Sequence, residues 1–219
     1  MSKTPECQAQ PKEAYRANVE GTAVLAELAA ELPLVFFSTD LVFDGRAGGY
    51  RETAPVNPLS VYAETKVAAE RIVLTNPRHL VVRTSLNAGA SPAGNRTFNE
   101  LMRLSWQRGE KVRLFADEFR SPIHASVTAR AVWELVTQRV TGVIHLAGSE
   151  RLSRSEIGQL LAARWLGLNP QIETASVKDH RTPPRAPDTS LNCEKAQKLL
   201  SFQLPTFGEW LRGHPEELV

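Results

Sequence analysis

Apolar positions recur at helical spacing between Pro11 and Glu31, where Ala14, Val19, Ala23, Leu25, Ala26 and Leu28 form one stripe and Pro11 suits a first turn. The run Leu32 to Ser38, LPLVFFS, is short and apolar with two Phe and a Val, which predicts a strand buried on both faces. A polar loop rich in Gly and Pro follows, TDLVFDGRAGGYRETAPVNP. Leu59 to Leu74 returns to helical spacing, and His79 to Ser85, HLVVRTS, predicts a second buried strand. Helix, strand, helix, strand is the alternation of βαβ units and a parallel sheet.

Further along, the pattern predicts a helix over Phe98 to Arg108, a short strand over Lys111 to Phe115, a helix over Val127 to Gln138 and a strand over Gly142 to Gly148. Ser153 with Glu156 three residues on reads as a capping box opening a helix to Leu166. Asp179 to Thr189 is basic, Pro-rich and irregular, and short helices are expected near Glu194 to Leu200 and Thr206 to Leu211. The expected fold is α/β: a partial Rossmann-like parallel sheet with a small C-terminal substrate lobe. The whole chain, 1–219, reads as one unit, its core mainly 11–90 and 125–148 and its substrate lobe mainly 91–124 and 149–219.

Composition narrows the function classes. A chain of 219 residues with 42% hydrophobic content can bury a sizeable core, and its net charge of +2 comes from scattered Lys and Arg, so no nucleic-acid partner is expected. Cys7 and Cys193 form no CxxC pair, which favours a reducing, cytoplasmic setting. The histidines (His79, His124, His145, His180, His214) stand singly, so no metal site is expected. The opening residues lack the apolar core of a signal peptide, and no run approaches the ~20 apolar residues of a membrane helix.

The chemistry concentrates in STDLVFDG and NPLSVYAETK. Tyr62 and Lys66, four residues apart on a predicted helix, project from one face. An ammonium one turn from a phenol favours the phenolate and lowers the phenol's pKa from its ordinary value of about 10. Thr39, at the carboxyl end of a parallel strand, is placed where such sheets hold ligands and can bond a substrate carbonyl. By itself YxxxK is a weak signal, since exposed i,i+4 pairs are common. GRAGGY, Gly45 to Tyr50, leads into Arg51, Glu52 and Pro55 instead of a helix, so it reads as a turn and not a phosphate cradle.

The ordered run STD, LVFDG and NPLSVYAETKVAAE resembles the central block of the extended short-chain dehydrogenase/reductases, in particular the dTDP-4-dehydrorhamnose reductases and their relatives. AYRANVEGTAVLAELA, RTS at Arg83 to Ser85, FADEFRSPIHASVTARAVWELV, GVIHLAGSERLSRSEIG and RAPDTSLNCEKAQKLL extend the likeness over nearly the whole chain. The resemblance implies an NADP- or NAD-dependent reductase of a nucleotide-activated 4-keto sugar. Tyr62 would be the general acid, Lys66 would lower its pKa and hold the nicotinamide ribose, and Thr39 would bond the carbonyl oxygen. Ser38, Arg83, Thr84 and Ser85 join Tyr62 and Lys66 as cofactor contacts. Asp40, Arg120 and Arg185 are the substrate-side candidates, the two arginines for a pyrophosphate; the alternative for both is an exposed solubilising role. Asn18 serves either the site or the backbone beside it.

Such reductases open with a strand and GxxGxxG, which this sequence does not contain. The expectation is therefore a chain lacking the N-terminal half of the cofactor domain, with weak cofactor binding and impaired turnover. Its sheet edge is expected to be covered by a homodimer or a partner. A non-catalytic binding role remains the alternative, since the regulatory subunit of methionine adenosyltransferase resembles the same family.

Overall fold

In the computed structural model, residues 1–179 and 184–217 are described. The chain opens with helix α1 (Thr4–Ala9), then α2 (Pro11–Tyr15), a π-helical turn (Arg16–Glu20) and α3 (Gly21–Leu28). Strand β1 (Val35–Thr39) leads through a single 3₁₀ turn (Asp40–Val42) and the Gly/Pro loop into α4 (Val61–Val73), followed by β2 (Leu80–Thr84) and β3 (Asn87–Ala88). Next come α5 (Phe98–Gln107), β4 (Val112–Phe115), β5 (Phe119–Arg120), β6 (Ile123–His124), α6 (Ala125–Thr137) and β7 (Gly142–Leu146). The remainder is β8 (Leu152–Ser153), α7 (Arg154–Arg164), β9 (Ile172–Ala175), α8 (Glu194–Leu199) and α9 (Phe207–Gly213).

The main sheet is parallel, in the order β1-β2-β7, with Phe37 level with Val82 and Val82 level with Ile144. Three separate two-stranded sheets accompany it: β3 with β6 and β4 with β9 in parallel, and β5 with β8 antiparallel. One apolar core runs from Leu80, Val82 and Ile144 of the sheet through Trp106, Leu135 and Leu161 to Phe207 and Trp210. A smaller cluster packs Val42, Phe43 and Tyr50 against Val67 and Leu191. The mixed α/β architecture with a parallel sheet is the one the periodicities predict.

Two differences have plain physical causes. The strand expected to be buried on both faces is half-open: Phe37 is 46% exposed, because β1 is the outermost strand of its sheet among the described residues. Tyr15, Val24, Leu25, Leu28 and Leu32 are exposed on the preceding segment. The single helix expected over Pro11 to Glu31 carries the π turn at its centre, and α1 adds a helix whose polar sequence gave no apolar stripe.

The Gly-rich loop is a turn, as expected, and its glycines are required. Gly45 has φ +77°, and a Cβ there would stand 2.8 Å from the backbone nitrogens of Pro187 and Asp188. Tyr50 continues the contact by exchanging backbone hydrogen bonds with Ser190 and Asn192 at 2.9 and 2.8 Å. The expected irregular stretch from Asp179 to Thr189 includes residues 180–183, which lie outside the described residues.

Candidate active site

The site forms where β1 and β2 end. Thr39 is the last residue of β1, and its hydroxyl accepts the Leu41 amide at 3.2 Å, which caps the 3₁₀ turn that follows. Asp40 is buried in that turn. Its carboxylate accepts from Thr39 at 3.2 Å, from Ser85 at 2.7 Å and from Thr189 at 2.9 Å, and the Arg120 Nε lies 3.7 Å away.

Helix α4 begins at Ser60, whose hydroxyl accepts the Ala63 amide at 3.3 Å. Ala63, Val67, Ala69 and Val73 are buried along the helix, and Tyr62 and Lys66, one turn apart, are half-buried on the stripe that Ala69 and Val73 continue. Asn18, in the π turn, donates to the Thr65 hydroxyl at 3.0 Å and ties the preceding helix to α4 one residue from Lys66.

Tyr62 lines a cleft of about 590 Å³ together with Thr39, Asp40, Ser85, Glu118, Arg120, Arg154 and Arg185. A wider groove of about 840 Å³ lies between residues 47–49 and 188–194. Among the described residues its lining holds no Tyr, Lys or His, and the arginine there, Arg151, is bonded to Asp188 at 2.7 Å, whereas Thr39 and Tyr62 face the smaller cleft.

Burial and the Asp40 charge push the Tyr62 phenol up to about 12, against an opposing hydrogen bond from Thr39. Burial pulls the Lys66 ammonium down to about 8, with Glu70 opposing. Lys66 Nζ sits 3.9 Å from the centre of the Phe36 ring. The lysine therefore does not depress the phenol as helical spacing predicts: enclosure and Asp40 dominate, and Tyr62 stays protonated. That is the form a proton donor requires.

The remaining expected residues divide into two groups. Ser85 faces the cleft, while Arg83, two residues earlier, is buried in a bidentate pair with Glu70 at 2.9 and 2.7 Å. Thr84 accepts from Asn87 at 2.9 Å, and the buried Ser38 hydroxyl has no hydrogen-bond partner among the described residues. Arg120 donates to the Phe119 and Ala186 carbonyls and to Glu118, and Arg185 grips Glu118 through two bonds at 3.0 and 2.9 Å. Sequence reasoning overlooked Glu118 and Arg154. Both sit in charged runs, DEFR and ERLSRSE, and the cleft joins them to Asp40 and Arg185 far along the chain, which leaves no local spacing to read.

The nicotinamide end of a dinucleotide fits this donor set. The enclosed Lys66 ammonium makes no hydrogen bond to another described residue, and it lies one helical turn from a protonated phenol. Among the described residues no glycine-rich turn joins a strand to a helix N-terminus, so the fit covers that end only.

The family described as the RmlD substrate binding domain matches residues 3–218. A dTDP-4-dehydrorhamnose reductase of Sinorhizobium fredii is 29% identical over 222 residues, covering 94% of this chain and 74% of that protein. Among solved structures, a dTDP-4-dehydrorhamnose reductase of Bacillus anthracis in complex with NADP matches in fold with a TM-score of 0.88 at 21% identity, over 97% of this chain and 76% of that one. MoeE5 in complex with UDP-glucose and NAD matches with a TM-score of 0.79 at 25% identity, over 99% of this chain and 75% of that one.

Proposed function

The chain belongs to the RmlD substrate-binding domain family, and from that premise we propose that it serves the NAD(P)H-dependent reduction of a nucleotide-activated 4-keto sugar. The observation that carries this reading is that the Tyr62 phenol and the Thr39 hydroxyl line one cleft at the carboxyl end of β1. Tyr62 gives its proton to the carbonyl oxygen, and the Thr39 hydroxyl bonds the same oxygen as charge develops on it. A positioned acid of this kind contributes ~10²–10⁴ in rate. A reduced nicotinamide, when bound, supplies the hydride for the carbonyl carbon. Lys66 is the residue placed to hold the nicotinamide ribose, and Ser85 and Asp40 fix the floor of the cleft.

Several further features support the setting. No helix of the described residues is long and apolar enough to cross a membrane, and Cys7 and Cys193 are unpaired thiols, which suits a cytoplasmic protein. The open edge of β1 and the exposed apolar residues before it suit a partner surface, supplied by a second copy or by another polypeptide. We divide the chain into a sheet core, 11–90 with 125–148, and a substrate lobe, 91–124 with 149–219.

The test is NADPH- or NADH-linked reduction of a dTDP-4-keto sugar by the wild-type chain and by Tyr62→Phe. Loss of turnover by ~10²–10⁴ in the variant, with an unchanged melting temperature, is the expected result. Full activity of Tyr62→Phe would overturn the catalytic assignment.

A further inference from the structure

Three guanidiniums and two carboxylates meet in the wall of the cleft: Arg120, Arg154 and Arg185 with Asp40 and Glu118. Their bonds are unequally shared. Arg120 is committed to two backbone carbonyls and to Glu118 at 2.8 Å, with Asp40 close to its Nε. Arg185 spans both oxygens of Glu118. Glu118 is itself 1% exposed, and both of its carboxylate oxygens accept from these two arginines.

Arg154 is the one left over. Its Nη1 is sealed from solvent and has no hydrogen-bond partner among the described residues, and its guanidinium lies 5.4 Å from the Phe98 ring. The base of the side chain is fixed, because the Arg154 amide donates to the Glu118 carbonyl at 2.8 Å and Ser153 caps the helix that Arg154 opens. Burial pulls its pKa down to about 10, with Arg120 and Arg185 reinforcing and Glu118 and Asp40 opposing, so it is cationic at neutral pH. Three positive groups against two negative ones leave one enclosed cationic charge without a partner. An unpaired buried charge is costly, and an anion entering the cleft relieves that cost.

We infer that Arg154 is the anion-binding arm of this cleft and takes the diphosphate of the nucleotide-sugar substrate, an assignment that rests on the reductase reading above. The charged wall is built from Glu118, Arg120, Arg154 and Arg185, and Lys66, the candidate contact for the nicotinamide ribose, is not among the residues lining the cleft. An anion bonded by Arg154 therefore shares the cleft with Thr39 and Tyr62, which the reductase reading places at the substrate carbonyl, and this favours the substrate diphosphate over a cofactor phosphate. A planar guanidinium with a free edge suits bidentate bonding to phosphoryl oxygens.

The test is calorimetric titration of the wild-type chain, Arg154→Gln and Arg154→Lys with dTDP, thymidine and NADPH. Expected is dTDP binding that falls by about tenfold or more in Arg154→Gln and by less in Arg154→Lys, with thymidine binding unchanged. Arg154→Met in the ligand-free chain is expected to melt no lower than wild type, since it removes an unpaired buried charge, and to lose the dTDP-induced rise in melting temperature. The inference is overturned if Arg154→Gln binds dTDP as wild type does, or if wild type binds dTDP no better than thymidine. A fall in NADPH binding with dTDP binding unchanged overturns it too, as does a large drop in the melting temperature of ligand-free Arg154→Met, the mark of a structural strut. None of these readouts needs hydride transfer. Failure of the reductase reading would instead appear as an unimpaired Tyr62→Phe, or as absent keto-sugar turnover alongside Arg154-dependent dTDP binding.

Discussion

The Thr189 hydroxyl donates to the Asp40 carboxylate at 2.9 Å, joining residues 149 positions apart and closing the C-terminal segment over the end of β1. Thr189 is wholly buried, and the same carboxylate oxygen takes the Ser85 hydroxyl at 2.7 Å. One buried acidic oxygen thus holds both the end of β2 and the segment that carries Arg185. Thr189→Val keeps the shape of the side chain and removes the donor. It is expected to lower stability by about 1–3 kcal/mol in urea denaturation, because a buried acceptor loses one of its donors. The variant should also raise KM for the sugar nucleotide more than it lowers kcat, since the wall of the cleft loosens while Tyr62 stays in place. An unchanged urea midpoint would show that Ser85 and Arg120 suffice for Asp40.

The pattern of the chain exposed the long elements and the catalytic pair because both rest on local spacing. β1, α4, β2, α6 and β7 follow from periodicity, and Tyr62 and Lys66 share a face at four-residue spacing. Long-range pairing was not legible. β9, Ile172–Ala175, is four residues long and finds its partner, β4, about 60 positions earlier, while β3, β5, β6 and β8 are two-residue strands with no period to read. Electrostatics was hidden in the same way. Helical spacing puts Lys66 beside Tyr62 but says nothing of Asp40 or of enclosure, and these reverse the direction of the phenol's shift. Arg83 and Arg120 look alike in sequence, yet Glu70 engages Arg83 inside the core and Glu118 engages Arg120 in the cleft wall, and the Glu70–Arg83 partnership has no local signature.

Lys66 and Tyr62 give opposite pH dependences. Lys66 falls from 10.5 to about 8 in the folded chain, so between about pH 8 and pH 10.5 the unfolded chain binds more protons and stability rises with pH. Tyr62 rises from 10 to about 12, so above about pH 10 the folded chain binds more protons and stability falls. Relative to wild type, Lys66→Met should flatten the rise from about pH 8 to 10, and Tyr62→Phe should reduce the fall above about pH 10. Urea midpoints at unit steps from pH 7 to 11 check both. Parallel curves for wild type and Lys66→Met would show that the ammonium is not enclosed in solution.

Cofactor affinity separates the nicotinamide contacts from the rest of a dinucleotide site. The donors present at Tyr62 and Lys66 serve one end of the molecule, and the described residues hold no strand-to-helix glycine turn for a pyrophosphate. Titration with NADH and NADPH, followed by nicotinamide fluorescence, is expected to show binding no tighter than about millimolar. The two cofactors should differ little, because the ribose phosphate that distinguishes them belongs to the adenosine end. Micromolar binding of either would mean that a phosphate cradle exists elsewhere on this chain.

The Glu70–Arg83 pair fixes α4 to β2 from within and therefore sets the height of Tyr62 over the sheet. Both side chains are almost fully buried, the two bonds are 2.9 and 2.7 Å, and Arg83 Nη1 also lies 3.5 Å from His145 Nε2. Glu70→Ala leaves a buried guanidinium beside the His145 ring, which burial keeps neutral and which therefore brings no negative charge in place of the lost carboxylate. The expected cost is about 3–5 kcal/mol in urea denaturation. Replacing both residues by Met removes the two buried charges together and should recover most of that loss, as desolvation of the pair nearly cancels its attraction. A double variant no more stable than Glu70→Ala would instead assign the stability to the directional hydrogen bonds. In that case reduction of the keto sugar should fall in the double variant as well, because α4 would no longer hold Tyr62 against Thr39.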